Sequence, residues 1–260
     1  MKTRRFATFA IASMLAFAAG IAQATTIGFV GAGPNNANID LDYGSNIAGD
    51  GVGWTTSDGT GATPNVTLYW GGPFASTGWD WEAHNAATFG FIESLNAGGA
   101  WDAENPPGTN AVAQLQSQSA GLPNAVNFSV PAGVKFRLNS FDIGNAYDQV
   151  AADGTYGFDI ALVRDSDSTT VWSHTTPLWG LEDAGPPRVA REESVAVNYT
   201  GDLGESYTLT FTRIADADPG NNQVYRSGLD NLSFSQVPEP TSMTLAALCG
   251  LGVLMASKRR

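Results

Sequence analysis

Between Thr25 and Gln236 apolar residues recur at every second position in short runs, and glycine or proline interrupts them roughly every eight to twelve residues. Alternation of that period turns one face of an extended segment toward a core and the other toward water. Long amphipathic helices are excluded. The clearest run is Ser206 to Arg213, with Tyr207, Leu209 and Phe211 on one face and Thr208, Thr210 and Thr212 on the other. Tyr156, Phe158, Ile160 and Leu162 alternate in the same way. Val134, Phe136 and Leu138 do so too, and Phe141 and Ile143 resume one residue out of phase, which predicts a bulge near Asn139-Ser140. Further strands are expected over 26–30, 66–70, 88–94, 125–130, 169–173, 194–199 and 229–235, with one short helix over 111–120. The Gly-, Asn- and Asp-rich stretch 31–61 reads as loop or as a partly ordered strand-and-turn region. About ten short strands joined by turns predict an all-β protein, an antiparallel two-sheet sandwich. One sandwich is simpler than two domains divided near residues 98–121.

Of the 25 acidic residues only Glu239 lies outside 25–236, whereas Lys2, Arg4, Arg5, Lys258, Arg259 and Arg260 do among the 13 basic ones. The middle therefore carries 24 acids against 7 bases, a net charge of about −17. Such a field opposes nucleic acid and anionic lipid, and favours solubility and divalent cations. The one cysteine, Cys249, lies in the C-terminal apolar run, so no disulfide can form within the middle.

Both ends read as membrane-directed segments. Lys2, Arg4 and Arg5 precede an apolar run from Phe6 to Ile21, and Ala22-Gln23-Ala24 is a small-x-small site for signal peptidase. Residues 1–24 are expected to be a cleaved signal helix, with the mature chain starting near Thr25. Arg4-Arg5 opens the twin-arginine route, but Phe6 directly after the pair fits that pattern loosely and favours general secretory export. At the other end Val237-Pro238-Glu239-Pro240 leads into an apolar run over 241–257 and a basic stop, Lys258-Arg259-Arg260. At about 1.5 Å per residue that run reaches roughly 25 Å, enough for a short transmembrane helix. Its terminal bases are expected to stay cytoplasmic, with everything before Val237 on the far side.

These three ordered elements over 237–260 resemble the PEP-CTERM sorting signal of Gram-negative bacteria. The resemblance implies recognition by an exosortase, a membrane-embedded cysteine transpeptidase, and processing near Pro238-Glu239-Pro240. It also implies transient inner-membrane anchoring, then delivery to the cell surface or the exopolysaccharide matrix. The Ser/Thr-rich spacer frequent in such proteins is absent, because Phe234-Ser235-Gln236 runs straight into the motif. The closing segment Ser227-Gly228-Leu229-Asp230-Asn231-Leu232-Ser233-Phe234 resembles the last strand of carbohydrate-binding-module-like jelly rolls. That resemblance implies a jelly-roll-like sandwich in which Asp230 ligates a structural calcium, with Asp40 or Asp42 as partner. The competing reading makes Asp230 a turn-capping or internally paired residue.

Trp79-Asp80-Trp81-Glu82 is the most chemical-looking tetrapeptide. In an extended segment Trp79 and Trp81 share a face about 6.5–7 Å apart, a platform on which sugar rings could stack. The alternative turns both indoles into the core. Asp80 and Glu82 on the other face are poorly placed to flank a glycosidic bond. Asp165-Ser166-Asp167 and the loop 216–220 read as turns whose side chains bond their own backbone. His84 and His174 are the only histidines, and neither lies in a nucleophile elbow or a metalloprotease motif. Asn65, Asn127, Asn198 and Asn231 begin formal glycan-acceptor triplets, which a bacterial exported protein leaves unused. The expectation is a non-catalytic, carbohydrate- or matrix-associated surface protein. A secreted hydrolase acting on matrix polymers and a purely structural surface protein stand as the alternatives.

Overall fold

The computed structural model describes residues 24–29, 37–47, 63–71, 81–85, 111–117, 123–145, 155–180, 192–214 and 225–238. The signal helix, the transmembrane helix, the strand expected over 88–94, Trp79, Glu239 and Pro240 lie outside them. Among the described residues no helix is long and apolar enough to cross a membrane.

In chain order the strands are β1 (Ala24–Ile27), β2 (Ala37–Asn38), β3 (Thr67–Trp70), β4 (Glu82–Asn85), β5 (Ala111–Ser117), β6 (Asn124–Ser129) and β7 (Val134–Asn145). They continue with β8 (Thr155–Arg164), β9 (Thr169–Thr175), β10 (Trp179–Gly180), β11 (Glu192–Leu203), β12 (Tyr207–Ile214) and β13 (Tyr225–Pro238). One sheet has the order β11-β7-β13-β5-β4-β2, and the other β10-β8-β12-β6-β3. β1 joins the first sheet through β13, and β9 joins the second through β8. Every pairing is antiparallel. From β5 onward the chain crosses between sheets repeatedly, so the expected jelly-roll-like sandwich is the observed architecture.

The alternating residues do what their period demands. Tyr207, Leu209 and Phe211 of β12 are buried, as are Phe158, Ile160 and Leu162 of β8. Aromatic rings interlock the two sheets in edge-to-face contacts, Trp70 on Trp81 (5.2 Å), Trp81 on Phe211 (5.7 Å) and Phe211 on Phe141 (5.7 Å). Each such pair adds about 0.5–1.5 kcal/mol beyond the area it removes from water. In a sandwich without internal disulfides, this burial supplies the stability that a cross-link would otherwise lend.

The phase slip in β7 is a bulge. Ser140 faces Ser233 and Leu138 faces Phe234 on β13, leaving Asn139 between them as the extra residue. Leu138 and Phe141, three apart, are both fully buried as a result. The neighbours bulge at the same level. β11 fits Val197 and Asn198 between Ala196 and Tyr199, and β13 fits Asn231 and Leu232 between Asp230 and Ser233. Asn198 and Asn231 take positive φ, 52° and 48°, a region asparagine enters more readily than most side chains. Three asparagines thus turn the twist of three adjacent strands at one level. Two of the formal glycan triplets therefore begin at residues that the backbone itself requires.

The helix expected over 111–120 is wrong. That segment is β5, held between β13 and β4. Its alanines, glutamines and leucine favour helix in isolation, but ladder bonding on both edges outweighs that weak preference. Of the two readings of 31–61, the described residues 37–47 follow the strand-and-turn one, with a short strand at Ala37–Asn38 and a turn over 41–44. Ile39 and Ile47 are buried in the core, and Ile47 bridges to Thr63.

Candidate processing site

The last strand carries the sequence motif. β13 runs to Pro238, with Val237 opposite Lys135 and Pro238 opposite Val134 on β7. On its other edge β13 pairs first with β5, over Tyr225–Leu229, and then with β1 over residues 232–235. Ala24, the last residue of the expected signal segment, faces Ser235. The two expected processing points therefore sit on neighbouring strands at one end of the sandwich.

Turns fill out that end. The 131–133 turn leads into β7, and the Gly204 N–H donates to the Val134 carbonyl at 2.9 Å. Gln236 Oε1 accepts the Asn65 N–H at 3.1 Å, and the Thr25 and Thr63 hydroxyls meet at 2.7 Å. In the 165–168 turn Asp165 accepts from Thr208 Oγ1 and Asn127 Nδ2, both at 2.7 Å. Asp167 accepts the Thr169 N–H at 3.0 Å, the main reason its carboxyl titrates below the usual aspartate value. Arg164 donates to Asp167 at 3.2 Å and to Asp202 at 3.0 Å, and the Asp167 charge above all raises the guanidinium further. These exposed pairs set turn geometry more than stability. The Asp202 N–H donates to the Tyr207 hydroxyl at 2.7 Å, and burial pushes that phenol well above its ordinary value.

The other residues singled out from sequence are scattered. Trp81 is 1% exposed, edge-on to Trp70 and Phe211, and its indole N–H donates to the Ala125 carbonyl at 3.0 Å. A platform built from both Trp79 and Trp81 is therefore corrected, since Trp81 offers no face to a ligand. Asp40 and Asp42 are exposed, and their carbonyls close a turn by accepting from the Tyr43 and Ser45 N–H groups. Asp230 is buried, stands opposite Asp142, and accepts the Asn231 N–H on Oδ1 at 2.8 Å. Among the described residues no group of three His, Cys, Asp or Glu side chains gathers to hold a metal ion.

Two features were harder to see in advance. His174 Nε2 lies 2.8 Å from Glu193 Oε1, linking β9 to β11 across the sandwich, and its ring stacks on Trp172 at 6.1 Å. The threonine row of β12, Thr208, Thr210 and Thr212, is the other. It lies in mid-sheet, where Thr208 has Asn127 and then Tyr69 on one side, Val163 and then Thr170 on the other. Only registration across four strand pairs reveals that row.

Residues 236–260 match the PEP-CTERM protein-sorting motif. Fold and motif together define an exported β-sandwich protein with a C-terminal membrane-anchoring signal of the kind an exosortase processes. No curated protein matches the sequence. Similar solved structures include the K3 cleaved adhesin domain of Lys-gingipain from Porphyromonas gingivalis W83, at 12% identity, TM-score 0.27, covering 60% of this chain and 91% of that one. A carbohydrate-binding module specific for non-crystalline cellulose, CBM28, is 12% identical with TM-score 0.26, covering 55% of this chain and 84% of that one. The CBM22-1 and GH10 modules of a Clostridium thermocellum xylanase, complexed with xylohexaose, give 9% identity and TM-score 0.25 over 52% of this chain and 23% of that one. Overlap at these scores carries no ligand or activity across to this chain.

Proposed function

We propose that the protein is a non-catalytic component of the cell surface or exopolysaccharide matrix, released from the inner membrane by exosortase processing. One observation carries this reading: Ala24 and Pro238 lie at the same end of the sandwich, on adjacent strands. A precursor with basic residues at both termini needs both apolar segments to cross the same bilayer and return their charges to the cytoplasm. A sandwich whose first and last strands point out of one end meets that requirement without strain. Signal peptidase then frees Thr25, and the exosortase acts beside Pro238.

Association with polysaccharide is supported by the outer face of the second sheet. Tyr69, 41% exposed, shares a row with Asn127 and Thr208, and Asp165 bonds both of the latter. An aromatic ring beside amide, hydroxyl and carboxylate groups on a pleated surface suits the apolar face and hydroxyl rim of a sugar. A non-catalytic role is supported by how reactive groups among the described residues are engaged. His174 is taken up by Glu193 and Trp172, and the shifted acidities of Asp167, Arg164 and Tyr207 follow from a turn and from packing.

Intact mass of the protein recovered from cell surface and medium tests the routing, with a chain starting at Thr25 and ending within 238–240 as the expected result. A chain intact to Arg260 in both fractions overturns it. Co-sedimentation with the producing cells' own exopolysaccharide tests the association, with Tyr69→Ala and Asn127→Ala expected to weaken it. Equal binding by both variants removes that face from consideration.

A further inference from the structure

Within the sorting reading given above, we propose that the sandwich gates its own processing: β7, with Lys135 opposite Val237 and Val134 opposite Pro238, keeps the first two residues of the motif in the sheet until the end of β13 peels away. The strand and the motif overlap. Val237 and Pro238 belong to both, and no spacer separates the core from the point of cleavage. Just inside them Phe234 is fully buried and Ser235 is 6% exposed, while Gln236 is tied to Asn65. On the opposite edge β1 clamps β13 up to Ser235.

An enzyme that cleaves a peptide needs several extended residues around the bond, free of other partners. Residues paired into a sheet satisfy that need only after local opening. Four rungs lie outward of Phe234, from Ser235 to Pro238, and the two outermost carry the motif residues. Pro238 brings no N–H to the ladder, which makes its rung the weakest. Further inward the buried Phe234 stops the peeling. Lys135, opposite Val237, is thus the positioning residue, because the Val134 N–H goes to the Pro131 carbonyl and the Val134 carbonyl takes the Gly204 N–H. The step it gates is acyl transfer, in which the scissile peptide C–N bond breaks and the acyl group passes to the exosortase thiol. The thiol proton goes to the amine leaving with the tail, and water or an acceptor amine then releases the acyl group.

The test follows loss of the tail from the full-length chain by pulse-chase in cells that contain the sorting enzyme. Inserting a six-residue Gly-Ser spacer between Gln236 and Val237 moves the motif off the ladder and is expected to speed processing roughly threefold or more. Val237→Cys combined with Lys135→Cys places two thiols directly opposite each other, within disulfide reach. The oxidised pair is expected to accumulate as precursor and, once reduced, to process at the rate the same chain shows when it has never been oxidised. Reversal by reductant separates the gate from simple misfolding. A native chain that loses its tail no more slowly than the spacer variant, with the cross-linked chain keeping pace, overturns the gate alone. A native chain that keeps its tail overturns the sorting reading and the gate with it.

Discussion

Gly201 lies so close beneath the ring of Tyr207 that a Cβ there would stand 2.4 Å from Cε2. The same ring receives the Asp202 N–H on its hydroxyl, so one tyrosine pins the bulged end of β11 from two directions. Gly201→Ala is expected to destabilise the fold by about 1–3 kcal/mol, because neither the buried ring nor the strand can move aside freely. Urea unfolding of the region 25–238 reads this as a lower midpoint with unchanged slope.

Alkaline pH probes the same residue. The phenol of Tyr207 is raised in the folded state, so the unfolded chain loses its proton first. Stability from this group is complete below about pH 10, the ordinary tyrosine value, and declines as pH rises toward the folded value. Tyr207→Phe is expected to lower stability at neutral pH through loss of the Asp202 bond, yet to flatten the decline above pH 10. An unchanged alkaline slope in that variant would show that another group controls it.

Trp81 is a core residue by its contacts. Trp81→Ala is expected to cost about 3–5 kcal/mol, and Trp81→Phe less, with the Ala125 carbonyl left without its indole donor. Thermal unfolding followed by near-ultraviolet circular dichroism would register both. Polysaccharide binding by folded Trp81→Phe is expected to match native, in contrast to Tyr69→Ala.

The bulge at Asn231 makes a sharper demand on backbone than on side chain. Asn231→Gly keeps access to positive φ and gives up the 2.8 Å bond to Asp142, a change expected to cost under about 1 kcal/mol. Asn231→Val forces a β-branched residue into the same conformation and is expected to cost about 2 kcal/mol or more. Equal melting points for the two variants would mean that the bulge relaxes away.

How much of this was readable beforehand depends on which physics dominates each segment. In β8 and β12 local pattern and tertiary outcome agree, so alternation alone places their faces. The slip between Leu138 and Phe141 announced the bulge, because a regular strand with one face on the core keeps its large apolar residues at one parity. β5 stayed hidden, since alanine, glutamine and leucine favour helix and only its two neighbours make it a strand. Ile39 and Ile47 lie in glycine- and asparagine-rich surroundings where single buried side chains leave no period to detect. The inward turn of Trp81 was one of two readings that strand parity allowed, and the depth of the core decided between them. Asp230 kept its predicted strand, whereas its proposed partners Asp40 and Asp42 face solvent, a matter of loop path that composition cannot encode.

The layout of β1 and β13 also sets how the molecule bears load. While both termini are held, tension between them parts two antiparallel neighbours from a shared end, opening one rung after another as a zipper does. A pull through Pro238 against the body of the sandwich instead drags β13 lengthwise between β7 on one side and β5 and β1 on the other. All of its rungs then resist together in shear, so the same strand is an easily unfastened seam under one direction of load and a stiff one under the other.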